Sequence, residues 1–229
     1  SLPPFEGQYR VYIIDEAERM NQDASNTLLK QMEEPLSDIY AVLLTSNSNA
    51  LLKTIVSRAQ LIHFKPIARH LIKETLLNDG VTPLASHVIP EYTNNIDEAK
   101  KISESKDLMM ILETVSGLYS IAGKKNESMV IRFKEVSDKI LSNTATMDFF
   151  LTLMILFQKD LLNYKLRHLN QIVYVTEMEE IERIANNVSQ KSIQSILEKM
   201  LALKTRLRYN INYALAFDLI IAQLERGML

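Results

Sequence analysis

The sequence predicts a mainly α-helical protein that opens with a short parallel α/β portion. Two apolar, β-rich runs at residues 11–14 and 39–44 flank a helical pattern at residues 21–34. Because strands that alternate with helices form parallel sheets, these three segments indicate a βαβ unit. From Pro66 to the end of the chain, helical patterns follow one another without such alternation, so we expect only helices there.

The elements of the α/β portion have recognisable boundaries. The continuous apolar character of the two runs is typical of strands buried on both faces of a sheet. Asn21 or Asp23 can cap the helix between them, and Pro35 ends it. We further expect a short helical stretch at residues 50–57 and a third strand at residues 60–64.

The helical portion divides at a polar, glycine-containing break at residues 123–126. The predicted helices cover residues 67–78, 83–92, 96–103, 107–121, 127–141, 146–168, 177–188 and 191–225. Gly80 ends the first of them, and residues 210–212 can bend or break the last. Residues 171–175 have β-like propensity but stand alone, so a strand and an extended linker are both open there.

Composition narrows the class of protein. The 26 Lys and Arg residues against 28 Asp and Glu residues give a net charge of −2, which argues against a free-standing electrostatic DNA binder. The lack of Cys excludes disulfide scaffolds, cysteine zinc sites and thiol nucleophiles from this chain and fits a cytoplasmic location. The longest apolar run, residues 149–157, is far shorter than the roughly 20 residues of a spanning helix, so we expect no membrane segment.

The first candidates for chemistry are two carboxylates, Asp15 and Glu16, at the predicted end of the first strand. Sheets of the α/β class bind ligands beyond the carboxyl ends of their strands. In P-loop nucleotidases an Asp at this place holds the magnesium shell, and an adjacent Glu can polarise the attacking water. The alternative for the same pattern is a solvated acidic turn that caps the following helix.

Three further motifs follow in order. Residues 26–35 read N-T-L-L-K-Q-M-E-E-P, residues 45–47 end the second strand with T-S-N, and residues 57–59 read S-R-A. With the acidic pair, this series closely resembles the clamp-loader branch of the AAA+ family, in its Walker B strand, its N-x-L-L-K-x-x-E-E-P helix, its sensor 1 strand end and its S-R-C element. A helicase with a DEAD-type box shares only the first motif.

The resemblance implies three parts. Residues 1–65 are similar to the C-terminal part of the AAA+ α/β domain, residues 66–125 to the helical lid domain of the family, and residues 126–229 to its helical collar domain, which joins subunits into a ring. The implied fold is therefore mainly α, with a partial AAA+ parallel sheet followed by a lid and a collar.

Two departures from the family pattern bear on activity. No G-x-x-x-x-G-K-[ST] phosphate loop occurs, so we expect the chain to be a C-terminal fragment that starts after that loop, two strands and a zinc module. Asp97 stands near the lid arginine (sensor 2) of motor subunits, where an acid would repel a triphosphate. The acid favours a non-catalytic stator subunit of the bacterial replicative clamp loader. The alternatives are a motor-type or other AAA+ ATPase cut before its phosphate loop, and a generic helical adaptor.

A chain that starts after two strands of the family's sheet is also expected to have an incomplete sheet. In the family, the strand that corresponds to residues 60–64 pairs with a strand that this chain lacks. Unpaired strand edges and exposed apolar faces recruit other chains. We therefore expect residues 1–65 to be mobile, rearranged or paired with a second copy, and the lid and collar to be well ordered.

The resemblance assigns Arg58 a role. In the family, the arginine of the S-R-C element acts in trans as an arginine finger on the triphosphate bound by the neighbouring subunit. The planar fork of an arginine suits this task, because it holds two phosphate oxygens at once. The alternative is a surface arginine that binds backbone carbonyls after a helix. Ala59 replaces the usual Cys, which we interpret as a packing residue.

The remaining site positions are expected to be vestigial. Asp15 and Glu16 match Walker B and Asn47 matches sensor 1, but without a phosphate loop they have no nucleotide to contact; Asn47 can equally be a strand-end turn residue. We expect no metal and no cofactor on this chain, with ATP and Mg²⁺ at the neighbouring subunit's site. The implied partners are the motor and delta subunits through the collar, and the sliding clamp and primed DNA at the level of the complex.

Overall fold

Helices dominate the computed structural model of the chain, which describes residues 9–34, 39–124, 126–207 and 212–228. Contacts divide the chain into two units, residues 1–65 and 66–229. The predicted fold class, mainly α with a partial parallel α/β portion, is confirmed. The assignment of these units to an AAA+ remnant, a lid and a collar stays a prediction.

The first unit contains one parallel strand pair. Strand β1 (Arg10–Ile14) pairs with β2 (Ile39–Leu43) in a register that places Tyr12 opposite Ala41. Beyond the strands, the amide of Leu44 donates to the carbonyl of Ile14 at 2.9 Å. The predicted βαβ order is confirmed, because helix α1 (Gln22–Glu33) connects the two strands.

Local capping explains the helices of this unit. The Asn21 side chain accepts a hydrogen bond from the Ala24 amide at 2.8 Å and so starts α1, as one of the two predicted caps. Pro35, the predicted stop, lies outside the described residues. Short 3-10 helices at Ala17–Arg19 and Ser48–Ala50 precede α1 and α2 (Lys53–Val56). The buried apolar residues of the unit are Ala17, Leu28 and Ile55.

Two expectations for this unit are wrong. Residues 60–64 do not form a strand: no described strand pairs with them, and their amides donate no backbone hydrogen bond in the described chain. Phe64 is accordingly 91% exposed. The two strands are not buried on both faces either: Val11, Ile13 and Tyr40 are exposed, since no described helix or strand covers them.

The second unit is helical throughout its described residues. Its helices are α3 (Arg69–Asn78), α4 (Pro83–Tyr92), α5 (Ile96–Glu104), α6 (Lys106–Ile121), α7 (Met129–Lys134), α8 (Ser137–Ile140), α9 (Thr144–Lys165), α10 (Met178–Asn187), α11 (Gln190–Arg206) and α12 (Tyr213–Met228). Gly80, with φ of 80°, follows α3 in the left-handed conformation that glycine allows, as predicted.

Helix α9 forms the centre of the core in this unit. It packs against α4, α6, α8, α10 and α11. The rings of Tyr119 and Phe157 stack with centroids 3.8 Å apart. The rings of Phe150, Phe133 of α7 and Phe217 of α12 contact one another, so aromatic side chains join the C-terminal helix to the rest of the core.

Several predicted helix boundaries need correction. The helix expected at 127–141 is two short helices, and the Ser137 hydroxyl donates to the Lys134 carbonyl at the junction, where it competes with the helical pattern. Helix α9 starts earlier than expected, because Asn143 caps it through the Thr146 amide. It also ends earlier, because Arg167 adopts φ of 63°.

The isolated β-like segment at residues 171–175 is not a strand. Short 3-10 helices at Leu169–Gln171 and Val175–Glu177 flank it, and the amides of Val173 and Tyr174 both donate to the Asp160 carboxylate instead of to a neighbouring strand. The helix expected at 191–225 is likewise interrupted between α11 and α12. The predicted break at 210–212 falls largely outside the described residues.

Candidate functional site

The acidic pair lies at the carboxyl end of β1, at the place that the sequence predicted. Glu16 has a left-handed backbone with φ of 48°, and its amide donates to Oδ1 of Asp15 at 2.9 Å. The Glu16 carboxylate forms an ion pair with Arg19 at 3.0 Å. Both carboxylates are exposed and already engaged in local contacts. The arrangement is that of an acidic turn between β1 and the first 3-10 helix.

Asn47 lies just beyond β2, at the same edge of the sheet. Its side chain accepts a hydrogen bond from the Asn49 amide at 3.2 Å, and its own amide donates to the Thr45 hydroxyl at 3.1 Å. These bonds cap the 3-10 helix that starts at Ser48. Because β1 and β2 are parallel and adjacent, the edge brings Asn47 to the same side as Asp15 and Glu16.

Glu18 joins the two strand ends, a role that the motifs did not reveal. Its carboxylate accepts hydrogen bonds from the Ser46 hydroxyl at 2.8 Å and from the Ser46 amide at 3.3 Å. Hydrogen bonding from the side chain of Thr45, from the Glu18 backbone and from Ser46 lowers the pKa of Glu18 to about 2. The only available signal was the adjacency of the two predicted strand ends.

Arg58 lies on a different part of the unit. It follows α2, and its Nη2 atom is 2.7 Å from Oε1 of Glu33, the last residue of α1. Its Nη1 atom donates to the Thr54 carbonyl at 3.3 Å. The side chains of Arg58 and Glu33 are 44% and 50% exposed. The contact with a helix carbonyl is the one that the alternative interpretation of Arg58 anticipated.

Helix α1 separates Arg58 from the acidic edge. The helix begins four residues after Glu18, near the strand ends, and its 12 residues extend to Glu33. At 1.5 Å per residue, α1 spans about 18 Å. No hydrogen bond or ion pair of the described residues joins Arg58 to Asp15, Glu16 or Asn47. The structure therefore places Asp15, Glu16 and Asn47 at one end of the strand pair, without a contact to Arg58.

Asp97, which stands near the position of the lid arginine in the sequence comparison, belongs to the second unit and lies at the start of a helix there. It lies in the first turn of α5, where its amide donates to the Asn95 side chain at 2.8 Å. A carboxylate is favourable at a helix N-terminus, because it faces the positive end of the helix dipole. Neighbouring Glu98 accepts a hydrogen bond from the Thr93 hydroxyl.

One cleft of the second unit has a volume of about 560 Å³. Basic side chains line it, among them Lys73 and Lys159, and the carboxylate of Asp160 lies in its wall. Among the residues that the structure describes, no three His, Asp or Glu side chains are grouped to hold a metal ion. None of the described helices is both long and apolar enough to cross a membrane.

Two family models match the chain. The model described as "DNA polymerase III, delta subunit" matches residues 1–68, and the model described as "DNA polymerase III, delta subunit, C terminal" matches residues 133–226. The first match contains all the motifs around Asp15, Asn47 and Arg58. The second covers most of the part predicted to be a collar.

Individual relatives agree with these matches. DNA polymerase III subunit delta' of Bacillus subtilis is 26% identical, over 97% of this chain and 68% of that protein. The gamma subunit of Buchnera aphidicola subsp. Schizaphis graminum is 26% identical, over 96% of this chain and 67% of that protein. The tau subunit of Bacillus subtilis is 27% identical, over 69% of this chain and 31% of that protein.

One solved structure also resembles the chain. The Bacillus subtilis DNA clamp loader delta protein (YqeN) matches 97% of this chain and 79% of its own, at 14% identity and a TM-score of 0.36. A likeness of this size carries no structural argument.

Proposed function

Because this chain belongs to the clamp-loader family of DNA polymerase III subunits, we propose that it acts as a delta-prime-like, non-catalytic subunit of the loader. In this role it associates with the motor and delta subunits and helps to load the sliding clamp onto primed DNA. The observation that carries the proposal is the similarity to the delta' subunit of Bacillus subtilis along 97% of the chain.

Two features support the lack of ATP hydrolysis by this chain. The 229 residues include no G-x-x-x-x-G-K-[ST] loop, the motif whose backbone amides cradle nucleotide phosphates in P-loop proteins. Glu16 occupies the position of the residue that polarises water in motor subunits. Its carboxylate forms an ion pair with Arg19. ATP and Mg²⁺ would then be held by the neighbouring subunit, and the residues of this chain do not fit a nucleotide site of their own.

We assign Arg58 the part of an arginine finger toward that neighbouring site. Its position apart from Asp15 and Asn47, beyond the length of α1, supports action outside this chain's own sheet edge. Its side chain is nearly half exposed, so a phosphate on another subunit can reach it. In a site of low dielectric, a guanidinium stabilises the charge that spreads over the transferred phosphoryl group.

Association with other subunits is assigned to residues 126–229. The C-terminal family model matches most of this range. Helix α12 carries two exposed leucines, Leu215 and Leu219, which are one helical turn apart and therefore lie on the same face. Exposed apolar residues of this kind are typical of surfaces that another protein covers.

A motor-type ATPase is the second candidate, because the gamma subunit of Buchnera aphidicola is similar along 96% of the chain. The two candidates differ in ATP turnover. We expect the purified chain to hydrolyse no ATP above the background of a mock purification. Turnover that Glu16→Gln abolishes would contradict the non-catalytic role and favour the motor-type ATPase.

A further inference from the structure

The salt bridge with Glu33 and a hydrogen bond to Thr54 hold the Arg58 guanidinium within its own unit. Of the two terminal nitrogens of the guanidinium, Nη2 contacts Glu33 at 2.7 Å and Nη1 donates to the Thr54 carbonyl at 3.3 Å. An arginine that grips a phosphate in bidentate fashion uses two N–H groups in parallel. Two of the five N–H groups of the guanidinium are thus engaged within the subunit, and a phosphate that binds both terminal nitrogens meets the Glu33 carboxylate at one of them.

We infer that Glu33 is an internal competitor for Arg58, which holds the guanidinium on its own subunit until a neighbouring triphosphate displaces the carboxylate. This inference rests on the proposed role of Arg58 and concerns how Arg58 becomes available for that role. Glu33 is suited to it, because it ends α1 and faces the residue that follows α2, so two separate helices fix the pair. The Thr54 carbonyl, a neutral acceptor, is the weaker of the two restraints.

The exposure of the pair sets the strength of this competition. Both side chains are about half exposed, at 44% and 50%, so water and salt screen their attraction. Exposed ion pairs of this kind shift an equilibrium by at most about fivefold. A triphosphate carries more negative charge than one carboxylate and can displace it. The restraint is therefore weak enough to release in the assembled loader.

A competing role and an orienting role for Glu33 predict opposite effects on ATP hydrolysis when its carboxylate is removed. If Glu33 held Arg58 in the position for catalysis, its removal would slow ATP hydrolysis by the neighbour. If Glu33 competes with phosphate, its removal frees Arg58 and speeds hydrolysis. The geometry favours competition, because the Glu33 carboxylate contacts a terminal nitrogen of the guanidinium, where a phosphate oxygen would bring a second negative charge.

The test is Glu33→Gln in the loader reconstituted with all its subunits. We expect kcat/KM for ATP hydrolysis, stimulated by the clamp and primed DNA, to rise by up to about fivefold. Glu33→Asp keeps the charge and should stay near the unmodified rate. Glu34→Gln is the matched control, since it removes the same charge from the next residue, which is also exposed. We expect no change in that variant.

The same substitutions are then combined with Arg58→Ala. Competition acts only through Arg58, so Glu33→Gln should have no effect in that background. A rate that Glu33→Gln leaves unchanged or lowers in the presence of Arg58 overturns the inference, even if Arg58→Ala slows the loader. An unchanged rate for Arg58→Ala alone overturns the proposed role of Arg58 and the competition together.

Discussion

Asp160 Oδ2 accepts a hydrogen bond from the backbone amide of Tyr174 at 2.8 Å, and the same oxygen accepts one from Val173 at 2.9 Å. The carboxylate is 1% exposed. It replaces the strand partner that residues 171–175 lack and fixes this segment against α9. Burial raises the pKa of Asp160 to about 7, although the two amide bonds lower it; Glu91 adds to the increase and Lys159 opposes it.

The raised pKa of Asp160 predicts a pH-dependent effect of Asp160→Asn on stability. Below about pH 4 the side chain is protonated in both the folded and the unfolded chain. Between about pH 4 and 7 the folded chain binds the additional proton, so the free energy of unfolding falls as the pH rises from 4 to 7 and changes little above 7. The single amide oxygen of Asn can accept both backbone bonds without a charge. We expect Asp160→Asn to be stabilising by about 1–3 kcal/mol at pH 8 and nearly neutral at pH 5.

Urea unfolding at the two pH values measures this difference. Asp138→Asn serves as the control, because Asp138 is exposed on α8 and its substitution should change the free energy of unfolding little at either pH. A loss of stability in Asp160→Asn that is equal at pH 5 and pH 8 would show that burial of the charge carries no cost.

Arg183 is expected to hold the end of α6. Its Nη1 atom donates to the Ala122 carbonyl at 2.6 Å, and its Nη2 atom donates to the carbonyls of Tyr119 and Ser120 at 3.2 and 3.0 Å. These carbonyls lie at the C-terminal end of α6, where the helix dipole makes a cation favourable. We expect Arg183→Ala to lower the free energy of unfolding by about 1.5–3 kcal/mol.

The matched control for this substitution is Arg132→Ala. Arg132 pairs only with Glu135 at the surface, 2.9 Å away, and its loss should cost less than about 0.5 kcal/mol. Arg183→Lys should lie between the two, because one ammonium cannot reach all three carbonyls in the fork geometry of a guanidinium. Equal losses for Arg183→Ala and Arg132→Ala would remove Arg183 from this structural role.

Hydrogen exchange should separate residues 60–64 from the core of the second unit. The amides of residues 60–64 donate no backbone hydrogen bond in the part of the chain that the structure describes, and Leu61, Ile62 and Phe64 are exposed. Their exchange should be close to that of an unprotected amide. The amides of α9, in the centre of the core, should exchange only on global unfolding.

The sample must be shown to be monomeric, because a second copy that paired with residues 60–64 would also protect them. Slow exchange of these amides in a monomer, matching that of α9, would mean that the first unit forms a third strand after all.

The sequence predicted best those features that depend on neighbouring residues along the chain. Asn21 and Gly80 mark helix ends through local backbone bonds, so the bounds of α1 and α3 could be inferred. A strand at 60–64 could not be inferred in the same way, because it requires a hydrogen-bonding partner from elsewhere. The choice between a strand and a linker at 171–175 could not be made from the sequence for the same reason: amides of this segment donate to Asp160, which is more than ten residues away.

In the candidate site, too, the features that depend on nearby residues could be predicted and the contacts with distant residues could not. Motifs located Asp15, Glu16, Asn47 and Arg58 along the chain, and the parallel strand order implied that the first three share an edge. The pairing of Arg58 with Glu33 and that of Glu18 with Ser46 depend on how α1 packs in the first unit, which periodicity does not specify. The functional roles of the four predicted residues stay predictions.

The rate of ATP hydrolysis by the reconstituted loader carrying Arg58→Ala tests the central claim most directly. An arginine finger contributes about 10³–10⁵ to the rate at a phosphoryl-transfer site, and the other sites of the loader dilute the loss in the total rate. Lys53→Ala is the control, because it removes an exposed cation from the neighbouring helix α2. We expect the arginine variant to assemble normally and hydrolyse ATP more slowly, while the lysine variant keeps its rate. An unchanged rate with Arg58→Ala in the complex would contradict the claim that this subunit completes its neighbour's site.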